Sequence, residues 1–106
     1  MKRDLEAMTR EREEAWVGDA VLALYVREWI LREQKELDGA KFVRFTSNDF
    51  LRALGNPTSV EAEIGVIYQN HGLKAAFAHM EEKLLPVFLQ QEKVREKQIL
   101  SGNIKG

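Results

Sequence analysis

The residue that most clearly calls for a chemical explanation is Asp19, in the largely apolar stretch EEAWVGDAVLALYV. A carboxylate that is buried without a partner is costly, or its pKa is raised. At helical spacing, Asp19 shares its face with residues that offer no counter-charge: Ala15, Leu22 and Val26. We therefore expect Asp19 to meet a metal ion, a cation or a hydrogen-bond donor from another helix.

Two neighbours of Asp19 bear on that expectation. Gly18, directly before it, lowers helix propensity by about 1 kcal/mol relative to alanine. Its presence predicts that another backbone or chain packs very close at this point. Arg12, two turns earlier on nearly the same face, offers the alternative that Asp19 is a surface aspartate in an ion pair.

Glu61 is the second acidic candidate, and its position has two interpretations. It follows Thr58 by three residues, so the two could form a capping box at the start of a helix. A glutamate at this position could equally bind a metal ion, and the sequence leaves both roles open.

The remaining reactive groups are few. His71 and His79 lie on either side of Gly72, which is not the spacing of a metal-binding pair on one helix. The chain has no cysteine, which excludes disulfides and thiolate metal sites and fits a reducing compartment. We therefore expect a cytoplasmic protein.

Composition narrows the classes of function. The chain is 44% hydrophobic and 31% charged, as expected of a folded protein, and its net charge is −1. Nucleic acid would therefore have to bind through a local basic patch or through metal ions. No apolar run reaches the length that spans a membrane, so we expect no membrane partner.

The apolar periodicity predicts one all-α domain over 1–106, with a core over about 5–90 and a helical extension with a frayed tail over 91–106. We expect a short helix over 4–11, then a charged cluster over 10–14 that is a solvated first helical turn or a short connection. A widely buried helix is expected from Ala15 to about Gln34 or Glu36. Thr46 then resembles an N-cap for a short helix over 47–54, with Asp49 as its acidic partner.

After a turn at Gly55-Asn56-Pro57, the capping box of Thr58 and Glu61 predicts a helix that ends at His71-Gly72. A last helix is expected from Leu73 to about Leu85. Pro86 either ends this helix or lies in the first turn of a continuation through Gln98.

Four segments resemble the nuclease domain of ribonuclease III. LEAMT (residues 5–9) resembles that family's Leu-x-x-Ala-Leu-Thr segment, and EAWVGDAVLALYV resembles its signature, Glu-Phe-Leu-Gly-Asp-Ala-Val-Leu. SVEAEIGVIYQNHGLKAA (residues 59–76) resembles its second motif, Asp-x-x-Glu-Ala-x-x-Gly-Ala-Ile-Tyr-x-x-x-Gly-Leu-x-x-Ala, and FTSNDFLRALG resembles Val-Ser-Asn-x-x-Leu-Ala. The compact form, with no double-stranded-RNA-binding domain after it, is similar to Mini-III ribonucleases.

This resemblance implies an all-helical homodimer that cleaves double-stranded or structured RNA with Mg²⁺ or Mn²⁺, as in ribosomal RNA maturation. Asp19 and Glu61 take the places of catalytic, metal-binding carboxylates. Trp16 takes the place of an aromatic side chain that inserts into the partner subunit, and we expect Gly18 and Leu22 in the same interface. RNA would lie across the dimer groove, with three phosphate contacts: Arg44, Arg52 and Lys74.

The sequence also departs from the family pattern. Three positions where the family usually has carboxylates hold other residues here: Arg12, Ala15 and Thr58. A cation at Arg12 would compete with Mg²⁺ for Asp19. Two alternatives to a nuclease therefore stay open: a catalytically degraded dimer that binds structured RNA or a ribonucleoprotein, and a helical protein-interaction module.

Overall fold

Short connections join the helices that make up the described chain. The computed structural model describes the backbone of residues 2–102 and the side chains of residues 4–102. Over this range the helices are α1 (Lys2–Gln34), α2 (Gly39–Thr46), α3 (Asn48–Leu51), α4 (Pro57–His71), α5 (Leu73–Lys83) and α6 (Leu85–Leu100). The prediction of an all-α chain is confirmed for these residues, and the end of the predicted tail, residues 103–106, lies outside them.

The first helix, α1, is one unbroken helix of 33 residues. The predicted connection over 10–14 was wrong because this segment consists of arginine and glutamate, which favour a helix, with no glycine or proline. The charged side chains form a solvated surface in mid-helix. Glu11 accepts a hydrogen bond from the Ser59 hydroxyl at 3.1 Å and so ties this segment to the start of α4.

The short helix α3 is capped by Ser47 and not, as predicted, by Thr46. Ser47 has the extended backbone that an N-cap needs, and its hydroxyl oxygen accepts a hydrogen bond from the Phe50 N–H at 3.1 Å. Thr46 is the last residue of α2, and its hydroxyl donates to the Phe42 carbonyl at 2.8 Å. The preceding helix α2 was not predicted.

The N-cap of α4 lies two residues before the predicted cap, Thr58. Asn56 is its N-cap and accepts a hydrogen bond from the Ser59 N–H at 3.1 Å, while Pro57 occupies the first turn, where its fixed φ suits a helix. The prediction that Thr58 caps the helix was wrong. Glu61 therefore lies in the second turn and has no capping role.

The other end of α4 and the two last helices agree with prediction. Gly72 ends α4 with φ of 91°, a conformation that glycine adopts without strain. Pro86 lies in the first turn of α6, so the helix continues past it, as one of the two alternatives predicted.

The core is a cluster of aromatic and aliphatic side chains beneath the C-terminal half of α1. Phe45 of α2 stacks on Phe88 of α6 with ring centroids 4.2 Å apart, and Trp29 of α1 meets both rings edge to face. Glu92 of α6 and Arg44 of α2 form a two-point ion pair with contacts of 2.8 and 3.0 Å. These contacts hold α2 and α6 against α1.

Across the described part of the chain, no helix combines the length and the apolar character that crossing a bilayer requires.

Candidate carboxylate site

The helices α1 and α4 cross with their backbones in direct contact at two glycines. A Cβ atom on Gly18 would overlap the carbonyl oxygen of Glu61 and lie 2.9 Å from the amide nitrogen of Gly65. A Cβ atom on Gly65 would in turn overlap the carbonyl oxygen of Glu14. Only glycine fits at either position, so the helices approach more closely than the usual axial distance of about 8–10 Å.

The crossing accounts for the glycine at position 18 by a contact within the chain, whereas the sequence predicted a contact with a second copy. A close backbone does pack on Gly18, but it belongs to α4 of the same chain. Leu22 is fully buried in the core of its own chain. Within one chain Gly18 and Leu22 are thus covered by their own helices, whereas Trp16, with 81% of its surface exposed, is open to a second copy. An interface at these three residues stays a prediction.

The same crossing brings two carboxyl groups together. Asp19 directly follows Gly18, and Glu61 carries the carbonyl that Gly18 contacts. Burial of Glu61, and then its interaction with the Asp19 carboxyl, raises the pKa of Glu61 to about 7. The Glu61 carboxyl therefore holds its proton to a higher pH than a free glutamate does, chiefly because burial disfavours its charged form.

The surroundings of Asp19 differ from those expected. Its side chain is exposed and not buried, because the face of α1 that packs on α4 is the one that carries Gly18. Asp19 is thus a surface residue, as in the alternative interpretation. Its predicted ion pair with Arg12 does not appear among the ion pairs of the described residues.

Two carboxyl groups on different helices suit one hydrated divalent cation. The described residues contain no cluster of three or more acidic, histidine or cysteine side chains that could hold a metal ion. Mg²⁺ commonly binds one or two carboxylates and keeps several of its waters, so the donor set fits Mg²⁺ and not a closed zinc site. Ala15, one turn before Asp19, is buried and adds no oxygen ligand.

An apolar groove of about 620 Å³ borders the carboxylate pair. We call it the Trp16 groove. Trp16, Asp19 and Leu24 line it from α1, Tyr68 from α4, and Leu73 from α5. Among these lining residues, Trp16, Leu24 and Tyr68 are large apolar side chains exposed to solvent.

The three predicted phosphate contacts have different surroundings. Arg44 forms a two-point ion pair with Glu92, which engages part of its guanidinium, and its phosphate contact stays a prediction. Arg52 pairs with Asp49 at 2.9 Å, but both side chains are well exposed, and such a pair is weak. Lys74 is exposed in the first turn of α5, directly after Leu73 of the Trp16 groove.

Sequence reasoning missed the role of Gly65. The signal was present, because Gly65 lies one turn after Glu61 on the same side of an otherwise unbroken helical pattern. Two glycines in the middle of helices, each within about one turn of a carboxylate, indicate where the two helices can cross closely. Tyr68 and Leu73 were also missed as groove residues, since only the packing of α4 and α5 brings them next to α1.

Comparison of the chain with models of protein families, with curated proteins and with solved structures found no match. The carboxylate pair and the groove beside it therefore carry the functional proposal.

Proposed function

We propose that this protein is a Mg²⁺-dependent endoribonuclease of the ribonuclease III type that cleaves double-stranded or structured RNA. The observation that carries the proposal is the meeting of Asp19 and Glu61 at the Gly18–Gly65 crossing. Two of the four segments that resemble the family, those with Asp19 and Glu61, are the ones that cross. Burial, and then the interaction with Asp19, makes the charged form of Glu61 unfavourable, and a cation bound between the two carboxyl groups would make it favourable.

The two carboxyl groups have different roles in this proposal. Exposed Asp19 meets the ion from solvent, and half-buried Glu61, carried on α4, fixes the position of the site beside the groove. Glu61 must lose its proton for both groups to bind a cation. When bound, Mg²⁺ supplies a water of lowered pKa and neutralises charge on the phosphodiester.

We assign the RNA phosphate contacts to two exposed cations, Lys74 and Arg52. Lys74 is in the first turn of α5, where Gly72 as N-cap offers no side chain to the free backbone N–H groups. An anion is favoured at such a position by the N–H groups and by the helix dipole. Arg52, exposed on the turn after α3, is the second proposed contact.

The proposal also includes a homodimer in the cytoplasm. Trp16 supports the dimer, because so large an exposed apolar side chain next to an apolar groove suits burial against a second copy. A two-fold arrangement would bring the two carboxylate pairs to one face, across which a duplex could lie.

The test is cleavage of a short RNA duplex by the purified protein with Mg²⁺. We expect Asp19→Asn and Glu61→Gln each to lower the rate by at least about 100-fold, the order of magnitude for loss of a group that acts on the transition state. Glu28→Gln, which removes an exposed carboxylate elsewhere on α1, serves as the matched control. Cleavage by Asp19→Asn at the wild-type rate would contradict the assigned site.

One observation favours the runner-up, a dimer that binds structured RNA or a ribonucleoprotein without cutting it. In the described residues the pair has no third acidic ligand, since Ala15 is buried between α1 and α4 where the family has a glutamate. RNA binding with no cleavage at any Mg²⁺ or Mn²⁺ concentration would select this function. Failure to bind RNA at all would leave a protein-interaction module.

A further inference from the structure

A second concave site lies well away from the carboxylate pair, at the bend between α1 and α2. Arg27, Ile30 and Leu31 of α1 line it on one side, and Leu37 and Phe42 line it on the other. We call it the elbow pocket, and its volume is about 290 Å³. Arg27 lies eight residues beyond Asp19, which is about 12 Å along the helix.

The apolar surface of this site extends beyond the pocket. Leu37 is 85% exposed and Leu31 is 46% exposed, and both line the opening. A pocket of this volume accepts one large apolar side chain, and the rim adds surface that a small molecule would leave uncovered. The shape therefore fits a segment of another protein.

The mouth of the elbow pocket carries one unbalanced positive charge. The Arg27 guanidinium lies over the Phe42 ring at 4.3 Å from its centroid, which fixes the cation beside the pocket. No carboxylate forms an ion pair with Arg27 in the described residues.

Asp38, the acidic residue that also lines the pocket, is already engaged. Its carboxylate accepts hydrogen bonds from the Lys41 N–H at 2.9 Å and from the Gln34 amide at 3.2 Å. These bonds lower the pKa of Asp38 and hold its charge at the start of α2. Arg27 is thus left with donor groups that complement an incoming carboxylate.

We propose that the elbow pocket docks a partner protein through a large apolar side chain flanked by acidic residues. The apolar anchor fills the pocket between α1 and α2, and a neighbouring carboxylate pairs with Arg27. This site is independent of the proposed nuclease activity. RNA is disfavoured there, because the lining is mostly apolar and offers Arg27 as its one cation, whereas RNA binding needs several phosphate contacts.

The test uses two probe peptides, acetyl-Asp-Phe-Asp-amide and its uncharged match acetyl-Asn-Phe-Asn-amide, added to the full chain with ¹³C-labelled leucine methyl groups. We expect the acidic peptide to shift the methyl signals of Leu31 and Leu37 and to bind about tenfold more tightly than the match, as one charge-assisted hydrogen bond provides. Arg27→Gln should remove that difference, and Leu37→Asp should weaken both peptides.

Several results would overturn the proposal. These are the absence of shifts at millimolar acidic peptide, equal binding of the two peptides, and an unchanged preference in Arg27→Gln. Shifts of the same methyl groups on dilution of the protein alone would assign the pocket to a second copy. Shifts caused by an RNA duplex would assign it to RNA. Because Arg27 and Leu37 lie outside the carboxylate site, cleavage by these variants reports separately on the nuclease proposal.

Discussion

At the scale of single residues, the pKa of Glu61 is the property that depends most directly on the proposed site. Its pKa of about 7 in the folded chain lies above the value of 4.5 expected without the fold. Between these values the folded chain holds a proton that the unfolded chain has lost. Stability linked to this group is therefore complete below about pH 4.5, falls as the pH rises, and reaches its lowest level above about pH 7.

This linkage predicts that Glu61→Gln is more stable than the wild type at pH 8 and about equal to it at pH 5. We expect a difference at pH 8 of about 1 kcal/mol, smaller than the full pKa difference implies because water screens a half-buried group. Urea unfolding at both pH values measures it. Mg²⁺ should narrow the gap at pH 8 by stabilising only the wild type, and a gap that does not depend on pH would contradict the assigned cause.

A second residue-scale prediction concerns Tyr25. Its ring is 3% exposed, and its hydroxyl has no hydrogen-bond partner in the described structure. Burial, with the nearby Glu81 charge as a smaller cause, raises the pKa of Tyr25 to about 12. Tyr25→Phe keeps the edge-to-face contacts with Phe45 and Phe77 and removes the unsatisfied group.

We therefore expect Tyr25→Phe to raise the free energy of unfolding by up to about 1 kcal/mol. Tyr68→Phe, at a position that is 40% exposed, is the control and should change little. A loss of more than 1 kcal/mol in Tyr25→Phe, the typical worth of one hydrogen bond, would show that the hydroxyl has a partner such as a buried water. Equilibrium unfolding in urea decides between these outcomes.

The sequence singled out both carboxylates but misjudged the burial of Asp19. Asp19 lies within an apolar stretch, and the stretch is apolar because several faces of α1 are covered at different points along its length. Which face is covered at Asp19 depends on where α4 crosses, and no local pattern contains that information. The capping role predicted for Glu61 was wrong because Pro57 suits the first turn of the helix. The helix therefore starts earlier, and the glutamate lies beyond the capping positions.

At the scale of the helices, the crossing of α1 and α4 determines whether a site exists. We expect Gly18→Ala and Gly65→Ala each to destabilise the fold by about 3 kcal/mol or more, because the added methyl group meets a backbone carbonyl that cannot move independently. Gly39→Ala is the matched control. A Cβ there meets nothing within 4 Å, so this variant should be neutral or slightly stabilised.

Thermal unfolding of the three alanine variants measures these effects, and circular dichroism shows whether the helices remain. The crossing as described would be contradicted if Gly18→Ala or Gly65→Ala were as stable as Gly39→Ala. Since the carboxylates depend on the crossing, any folded Gly18→Ala protein should also lose the raised pKa of Glu61.

Most helices could be predicted from the sequence, but several of the points where they begin, end or continue could not. Gly72 and Pro86 give strong local signals, and the structure follows them. The unbroken α1 was missed because charge density was interpreted as a break, although a helix tolerates a fully solvated turn when its residues favour the helical backbone. The cap at Ser47 was assigned one residue too early because two adjacent hydroxyl residues carry the same signal.

At the scale of the whole molecule, the Trp16 groove predicts self-association. We expect the wild type to sediment as a dimer and Trp16→Glu to sediment as a monomer with unchanged helix content, since a charge cannot be buried in an apolar interface. Leu37→Glu places the same charge on another exposed apolar residue and should remain a dimer. A wild type that is monomeric at about 100 μM would rule out the proposed dimer.

The contact of the two glycines also bears on which ions the site can accept. Many helix pairs adjust by small sliding motions, but α1 and α4 cannot slide by part of a turn without bringing a side chain against a carbonyl at the crossing. The gap between the two carboxylate-bearing backbones is therefore nearly constant. Calcium needs a site that can widen to take six to eight oxygens, whereas magnesium demands short, regular distances. We therefore expect the proposed site to favour Mg²⁺ over Ca²⁺, because backbone contacts at the crossing hold this gap.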